Sequence, residues 1–334
     1  MYICINMKEK YQLSNLDKKI LYELGRDARQ SYKQISQKIN SKKEIVAYHI
    51  NQLQEKGVIT KFVPVFSLSQ IGIFSSKIYI KLKGLKKEDE EKLYSSLTKN
   101  KEIAWVAKSI GSWDLLLGMY SRNVVEFGRI KEKILNKYGR YIGDYEISHI
   151  EDGMVFNRNY LINKQTTQRK DFIFGGNVEN KNLTKLEINI INLIKNNARF
   201  YAVDIANKLE VDARTVVKTI KELKKRNILH GYTVFIDLKK LGLQLHKLCF
   251  YLKNYNSNQM EKLLKKLKQN KKIIHLIKSQ GSWELEVEME ESQLENIYEY
   301  VKELRNLFPD FIKQIALVSI TDEMKLDFFP EDFS

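Results

Sequence analysis

Apolar residues recur every three or four positions in three stretches near the start of the chain. Each stretch places its apolar residues on one face of a helix. The three stripes consist of Leu16, Ile20 and Leu24, then Ile35 and Ile39, then Val46, Ile50 and Leu53. This pattern predicts three short helices around a common core, followed by a strand from Val58 to Phe66. Three such helices with a tight second turn are typical of a winged helix-turn-helix.

The pattern then changes to a mixture of strands and helices. Ile78, Ile80 and Leu82 alternate with polar residues, which indicates a strand with one buried face. Two further helical stripes follow, separated by two strands around Gly111. Their apolar positions are Leu93 and Leu97, then Phe127, Ile130, Ile134 and Tyr138. The order β-α-β-β-α-β predicts a ferredoxin-like domain, with two helices over one face of an antiparallel sheet.

The whole pattern occurs twice, at a constant offset of 170 residues. The offset joins Leu16 to Leu186 and Gly72 to Gly242 without a gap. It also joins the stretch Gly111-Ser112-Trp113-Asp114 to Gly281-Ser282-Trp283-Glu284. Agreement at so many landmarks indicates a tandem duplication.

The predicted fold class is therefore α+β, with two copies of a winged helix-turn-helix followed by a ferredoxin-like domain. The predicted helix-turn-helix domains are residues 12–66 and 183–236, and the ferredoxin-like domains are residues 70–158 and 240–329. Residues 159–182 are polar and include two glycines, which predicts a linker. An apolar stretch inside it, residues 172–174, is expected to pack against the rest of the protein.

Several polar residues stand where the helices should begin or end. Ser31 is the expected N-cap of the second helix, and Asp212 that of the last helix in the second helix-turn-helix. The spacing of Ser41 and Glu44 predicts a capping box at the third helix. Gly57 and its counterpart Asn227 tolerate the positive φ that ends a helix.

The charge of the chain favours a polyanionic partner. Its 334 residues carry a formal charge of +16, with a pI near 9.4, and nucleic acid is the usual partner of such a protein. No apolar run reaches the roughly 18 residues of a membrane span. The two cysteines, Cys4 and Cys249, form neither a disulfide framework nor a metal-binding spacing. We therefore expect a cytoplasmic protein with free thiols, no metal and no cofactor.

The third helix of a helix-turn-helix normally enters the major groove of double-stranded DNA. The alternative for its outward residues is an ordinary solvated helix face. The start of the second helix could also contact phosphate, through Ser31, Tyr32 and Lys33. The candidate DNA contacts on the third helices are Ser41, Lys42, Lys43, Ala47, Tyr48 and Asn51 in the first copy, and Arg214, Thr215, Val217, Lys218 and Lys221 in the second.

The order and spacing of these motifs resemble those of the leucine-responsive/asparagine (Lrp/AsnC) family of prokaryotic transcription regulators. The resemblance covers nearly the whole chain outside the N-terminal tail and the linker. It implies DNA binding by dimers or larger assemblies, and pairing through the open faces of the ferredoxin-like sheets. It also implies an amino-acid effector near the glycine-aspartate turn, here Gly111 with Asp114, and Gly281 with Glu284. Because family members usually carry one such unit, one chain is expected to act as its own dimer.

The sequence departs from the family pattern at two kinds of position. His49 and Thr219 stand where the third helix usually carries an arginine, which weakens the expected set of DNA contacts. Glu284 replaces the aspartate of the turn, so one copy, both or neither could keep an effector pocket. Trp113 and Trp283, beside these turns, are expected to be sheet-packing aromatic residues.

The two open sheet faces differ in charge. The first copy offers Lys77, Lys81, Lys83 and Lys108, and the second offers Glu284, Glu286, Glu288 and Glu290. Opposite charges favour pairing of one copy with the other over pairing of the second copy with itself. The alternative is that the glutamates pair within their own sheet, with Lys247 and Lys253.

Two other functions remain open at this stage. Siroheme decarboxylases resemble this architecture, although the five histidines do not repeat at the offset and no nucleophile-base pair is evident. The chain could also lack DNA affinity and act as an interaction partner of other regulators of the family. The sequence favours a DNA-binding regulator that is not an enzyme.

Overall fold

The computed structural model describes residues 10–163 and 172–330, so Cys4 lies outside the described residues. The first copy, residues 12–158, begins with three helices and a strand. A β-α-β-β-α-β unit follows them. The elements are α1 (Asn15–Arg26), α2 (Tyr32–Ile39), α3 (Lys43–Glu55), β1 (Ile59–Phe66), β2 (Phe74–Leu82), α4 (Lys87–Lys99), β3 (Ile103–Gly111), β4 (Leu115–Ser121), α5 (Val124–Tyr138) and β5 (Ile142–Val155).

A short strand, β6 (Phe172–Gly175), lies between the copies. The second copy, residues 183–329, repeats the elements of the first in the same order. They are α6 (Lys185–Ile194), α7 (Ala202–Leu209), α8 (Ala213–Lys225), β7 (Leu229–Ile236), β8 (Gln244–Leu252), α9 (Ser257–Gln269), β9 (Ile273–Gly281), β10 (Leu285–Glu291), α10 (Leu294–Leu307) and β11 (Ile312–Leu326). The predicted fold class, two helix-turn-helix units each followed by a ferredoxin-like domain, is confirmed. No helix in residues 10–163 and 172–330 is long and apolar enough to cross a membrane.

The apolar stripes form the cores that the periodicity predicts. Ile20, Ile35 and Val46 are fully buried, and their counterparts Ile190, Ile205 and Val216 are buried with them. The two helix-turn-helix units share one continuous apolar core. Each ferredoxin-like domain has a separate core between its sheet and its two helices.

Most of the predicted helix ends are also observed. Ser31 caps α2 in a capping box with Gln34, and Asp212 caps α8. Gly57 and Asn227 follow α3 and α8 with φ of 68° and 57°. The capping box predicted at Ser41 is wrong.

The third helix begins one residue later than the sequence indicated. Lys42 is the N-cap of α3 and makes no side-chain capping bond. The N–H of Ser41 instead donates to the carbonyl oxygen of Ser36, at 3.0 Å. Ser41 therefore belongs to the turn that closes α2, and Glu44 no longer stands three residues after the cap.

The segment predicted as a linker is partly structured. Within it, β6 pairs with the end of β5, as Phe172 opposite Val155 and Gly175 opposite Asp152. The carbonyl of Gly175 accepts a hydrogen bond from the hydroxyl of Ser69 at 2.7 Å. This part of the segment therefore packs on the first copy, as its apolar residues suggested.

The strands that follow α3 and α8 pair with each other. β1 and β7 form an antiparallel two-stranded sheet in which Val63 lies opposite Thr233. These two residues are equivalent under the 170-residue offset, so a local two-fold axis passes between them. A lone strand needs a partner for its backbone N–H and C=O groups, and here the other copy supplies it.

The two ferredoxin-like sheets join into a closed ring of eight strands. The ring runs β2-β4-β3-β11-β8-β10-β9-β5, and β5 returns to β2. The long strands β5 and β11 each begin in their own sheet and end against the other copy, on β9 and β3. The open faces of the two sheets therefore meet inside the ring. We call this buried surface the seam, which is lined by Tyr79, Trp105, Ala107, Trp113, Leu116, Cys249, Trp283, Ala316, Val318 and Ile320.

Candidate nucleic-acid interface and the seam between the copies

The outer face of α3 carries few charges. Lys42, Lys43, Tyr48 and Asn51 are exposed, whereas Ala47 and Ser41 are half-buried. The Tyr48 hydroxyl accepts a hydrogen bond from the Gln52 side chain at 2.8 Å. This surface therefore combines the two lysines with the uncharged hydrogen-bonding side chains of Tyr48 and Asn51.

His49, at the position of the expected arginine, turns inward from that face. Its Nδ1 lies 2.8 Å from a carboxylate oxygen of Asp17 in α1, which is almost fully buried. This contact fixes α3 against α1. His49 thus has a structural role in the described part of the chain.

The equivalent face of α8 is strongly cationic. Arg214, Thr215, Val217, Lys218 and Lys221 are all exposed, so all five predicted contact residues face solvent. The helix carries one arginine and four lysines against one glutamate. By contrast, α3 carries one lysine and two glutamates.

The start of α2 is only partly available to a ligand. Ser31 and Lys33 are exposed, but the Ser31 hydroxyl already accepts the N–H of Gln34. The ring of Tyr32 is half-buried, with the guanidinium carbon of Arg199 5.0 Å from its centroid. Of the three predicted residues, Lys33 has the side chain best placed to meet phosphate.

Reciprocal contacts hold the two helix-turn-helix units together. The Arg29 guanidinium donates to the carbonyl of Phe200 at 3.0 Å, and that of Arg199 donates to the carbonyl of Ala28 at 2.9 Å. The backbone N–H of Ala28 also donates to the carbonyl of Tyr232, and that of Ala198 to Phe62. The sequence shows Ala28-Arg29 and Ala198-Arg199 as equivalent pairs in the repeat. Their spacing did not indicate that they join the two helix-turn-helix units.

A buried ionic cluster lies in the seam. Glu286, fully buried, accepts hydrogen bonds from Lys77 of the other copy at 2.7 Å and from Lys247 at 2.9 Å. Lys247, also fully buried, lies 2.6 Å from Glu288. The hydroxyl of Ser148 and the indole N–H of Trp283 also donate to Glu286, at 2.6 and 3.1 Å. Two ammonium groups therefore balance two carboxylates inside the ring.

The opposite charges of this cluster favour each other's ionised forms. Burial alone would raise the pKa of Glu286, but Lys247 and Lys77 outweigh it and hold this pKa well below its usual range. The pKa of Glu288 is lowered against the effect of burial in the same way, by Lys247 and by His275. Burial lowers the pKa of Lys77, although Glu286 opposes this effect. Both carboxylates are therefore ionised at neutral pH.

Of the predicted pairs between the lysines of the first copy and the glutamates of the second, Lys77 with Glu286 is the one observed. Lys77 meets Glu286, and Glu286 also meets Lys247, so both predicted alternatives operate at that residue. The other charges pair elsewhere: Lys81 with Asp114, Lys108 with Glu90, and Glu290 with Arg158.

The two glycine-acid turns have the same construction. A Cβ on Gly111, whose φ is +111°, would lie 2.5 Å from the backbone carbonyl oxygen of Leu317 in the other copy. Gly281 faces the backbone of Ile147 in the equivalent way. The Asp114 carboxylate accepts the N–H of Leu82, and the Glu284 carboxylate accepts the N–H of the equivalent residue Leu252, at 2.9 and 2.8 Å. The glycines thus allow the two copies to approach closely, and the acids close the turns.

One serine-histidine pair occurs in both copies with its two residues interchanged, and we call it the exchanged pair. Ser76 of β2 hydrogen-bonds His149 of β5, and His246 of β8 hydrogen-bonds Ser319 of β11, each at 2.8 Å. The residue equivalent to Ser76 is His246, and the residue equivalent to His149 is Ser319. The same contact therefore exists twice with its partners reversed. The sequence reveals this only when the strand pairing is known.

A pocket of about 430 Å³ opens beside the first turn. Lys83, Glu90, Lys108 and Asp114 give it charges of both signs, and Thr321 of the second copy contributes to its wall. The Lys108 ammonium lies 2.9 Å from Glu90 and 4.1 Å from the centroid of the Tyr94 ring. Of the four predicted effector residues, Asp114 lines this pocket.

Known proteins share the winged helix-turn-helix described above. Residues 13–60 match a family model described as winged helix-turn-helix DNA-binding. The uncharacterized HTH-type transcriptional regulator PH1916 of Pyrococcus horikoshii is 30% identical over 122 residues, which are 35% of this chain and 79% of that protein. A second regulator of the same organism, PH1692, is 29% identical over 126 residues, 37% of this chain and 83% of that protein. Each relative thus corresponds to roughly one copy.

The two-copy architecture also has a solved counterpart. The siroheme decarboxylase NirDL matches 94% of this chain and 93% of its own, with a TM-score of 0.62 and 13% sequence identity. At that identity the likeness shows the fold alone. AsnC of E. coli matches 42% of this chain and 93% of its own, with 20% identity and a TM-score of 0.35. From its similarity to PH1916 and its winged helix-turn-helix, the chain belongs to the family of HTH-type transcriptional regulators.

Proposed function

We propose that this regulator binds specific DNA sequences as a single-chain pseudo-dimer. The reciprocal contacts of Arg29 and Arg199 carry the proposal, since they join both helix-turn-helix units into one body. A dimeric regulator needs its two recognition helices at a fixed separation, to match half-sites on the duplex. Here α3 and α8 replace the two identical helices of a homodimer.

DNA binding can be tested with paired charge reversals. The variant Lys218→Glu with Lys221→Glu is expected to lose most of its affinity for genomic DNA fragments in a gel shift, because both side chains are exposed on α8. Lys262→Glu with Lys265→Glu, on the exposed face of α9, makes the same change in charge and should retain binding. Equal losses in both variants, or a wild-type protein that binds no duplex at low salt, would contradict the proposal.

The pseudo-dimer predicts one chain for each bound duplex. Native mass spectrometry of the complex should therefore show a 1:1 ratio of protein to a duplex that spans two half-sites. A minimal complex with two chains would mean that the two units of one chain do not share one operator.

We also propose that the pocket beside Asp114 binds an amino acid. Its lysines suit a carboxylate and its acidic residues suit an ammonium group. Calorimetric titration with the twenty amino acids should identify a ligand, and Lys108→Ala should weaken its binding. The equivalent change in the second copy, Lys278→Ala, is the control. Binding that depends equally on both lysines would place the ligand elsewhere.

A siroheme-decarboxylase-like enzyme is the second candidate, favoured by the fold shared with NirDL. Its substrate is rich in carboxylates, whereas Glu286 and Glu288 balance the buried lysines of the seam here. Incubation with siroheme, followed by absorption spectroscopy and carbon dioxide measurement, separates the candidates. Turnover would replace the regulator proposal. Binding to related regulators without affinity for DNA would instead indicate an interaction partner.

A further inference from the structure

The two recognition helices differ at nearly every exposed position. Under the 170-residue offset, Tyr48 corresponds to Lys218 and Asn51 corresponds to Lys221. Glu44 corresponds to Arg214, so even the sign of the charge changes. All six side chains are exposed. The difference therefore lies on the surface that meets DNA and not in the shared core.

Helix α8 is much more cationic than helix α3. The charged residues of α3 sum to −1, from one lysine and two glutamates, and those of α8 sum to +4, from five cations and one glutamate. Asparagine recognises adenine through paired hydrogen bonds in the major groove. Lysine can contact guanine as well as phosphate, but its phosphate contacts position a protein without reading sequence.

Helices α2 and α7 also differ in charge, but here the first copy is the more cationic one. At the start of α2 the first copy exposes Lys33, whereas the equivalent residue in α7 is the exposed Val203. The next residue of α7 is the exposed acid Asp204, which disfavours phosphate at that helix end. The first copy thus offers a phosphate contact on α2 and an α3 surface on which Glu44 and Glu55 offset Lys42 and Lys43. The second copy concentrates its cations on α8.

We propose that this regulator recognises a non-palindromic operator. In one half-site α3 reads the base sequence through Tyr48 and Asn51, while in the other α8 holds the DNA mainly through phosphate. The inference rests on the proposed DNA-binding function. In a homodimer the two helices are identical and favour an inverted repeat. Fusion of the copies removes that requirement, because each helix occupies a fixed place in one chain.

The first test is selection of bound sequences from a pool of random duplexes with the full-length protein. Sequence preference is expected at one half-site, with little preference one helical turn away. Replacing the preferred half-site with unrelated sequence should remove selective binding, whereas replacing the other should change affinity less than about threefold. An enriched inverted repeat with two equally specified halves would overturn the inference while leaving the regulator proposal intact.

The second test compares Asn51→Ala with Lys221→Ala, which alter equivalent positions. Asn51→Ala should weaken binding to the selected duplex about 5- to 150-fold, the range for one paired base contact, without changing binding to unrelated DNA. Lys221→Ala should weaken binding to both duplexes by a similar factor. It should also reduce the slope of log affinity against log salt concentration by about 1.

The outcomes of this comparison are distinct. The division of roles between α3 and α8 would be overturned if both variants lost only selective binding. It would equally be overturned if both lost affinity for selected and unrelated DNA alike. If the wild-type protein binds no duplex in dilute buffer, the regulator proposal itself fails, and with it the inference.

Discussion

The ionic cluster of the seam allows a quantitative test through Glu286→Gln. Glutamine keeps the shape of the side chain but removes the charge that faces Lys77 and Lys247, at 2.7 and 2.9 Å. Because all three groups are almost fully buried, water cannot compensate the two ammonium groups. Removing one partner of a buried ion pair costs about 3–5 kcal/mol. We expect a decrease of that size in the free energy of unfolding.

A second change restores the charge balance. In Lys77→Met with Glu286→Gln, one cation and one anion are removed, and Lys247 keeps Glu288 as its partner at 2.6 Å. Replacing a buried ion pair with groups of similar volume is often close to neutral. The double variant should therefore be at least about 2 kcal/mol more stable than Glu286→Gln alone.

The protein contains its own probe for this experiment. Its three tryptophans, Trp105, Trp113 and Trp283, all line the seam. Urea unfolding followed by tryptophan fluorescence therefore reports on separation of the two sheets. A Glu286→Gln variant destabilised by less than about 1 kcal/mol, or a double variant less stable than the single one, would refute the reasoning.

Three further predictions concern the seam and the exchanged pair. Gly111→Ala should destabilise the protein by about 1–3 kcal/mol in urea unfolding, because its Cβ would meet the carbonyl of Leu317. Gly128→Ala, inside α5 with open space around it, should instead stabilise by up to about 1 kcal/mol, and equal effects would contradict this account. Ser76→His with His149→Ser reproduces the pair found in the second copy, so it should be more stable than the sum of its single changes predicts in a double-mutant cycle. Simple additivity would mean that the pair contributes nothing. Burial lowers the pKa of His149 below its ordinary value of 6.5, so the unfolded chain binds the proton first as pH falls. Stability should therefore decline from pH 7 to about pH 5, and His149→Ser should weaken that dependence; an unchanged pH profile would exclude this histidine as its source.

The sequence could predict what depends on local periodicity. The positions of Ile20, Ile35 and Val46 follow from the helical repeat, because burial of one face is a property of each helix. The positions of Lys77 and Glu286 on the open sheet faces followed from alternation along two strands, since every second side chain shares a face. These inferences needed only the spacing of residues along the chain.

Features that depend on how the strands pair could not be predicted. The opposition of Val63 and Thr233 arises because each of two edge strands satisfies the other, and an edge strand does not specify its partner. Tyr32 looked free to meet DNA, yet it lies beneath Arg199, which is distant in sequence. The start of α3 was misplaced because the N–H of Ser41 closes the preceding turn.

The closed ring of strands has a consequence for how this protein behaves among its relatives. Each of its eight strands has a neighbour on both sides, and β2 and β5 complete the circuit. Regulators built from separate subunits can exchange those subunits with close relatives in the same cell, which mixes their specificities. In this chain the places that a foreign subunit would occupy are already filled by covalently attached segments. Its two winged helix-turn-helix units are therefore always made together, in equal number.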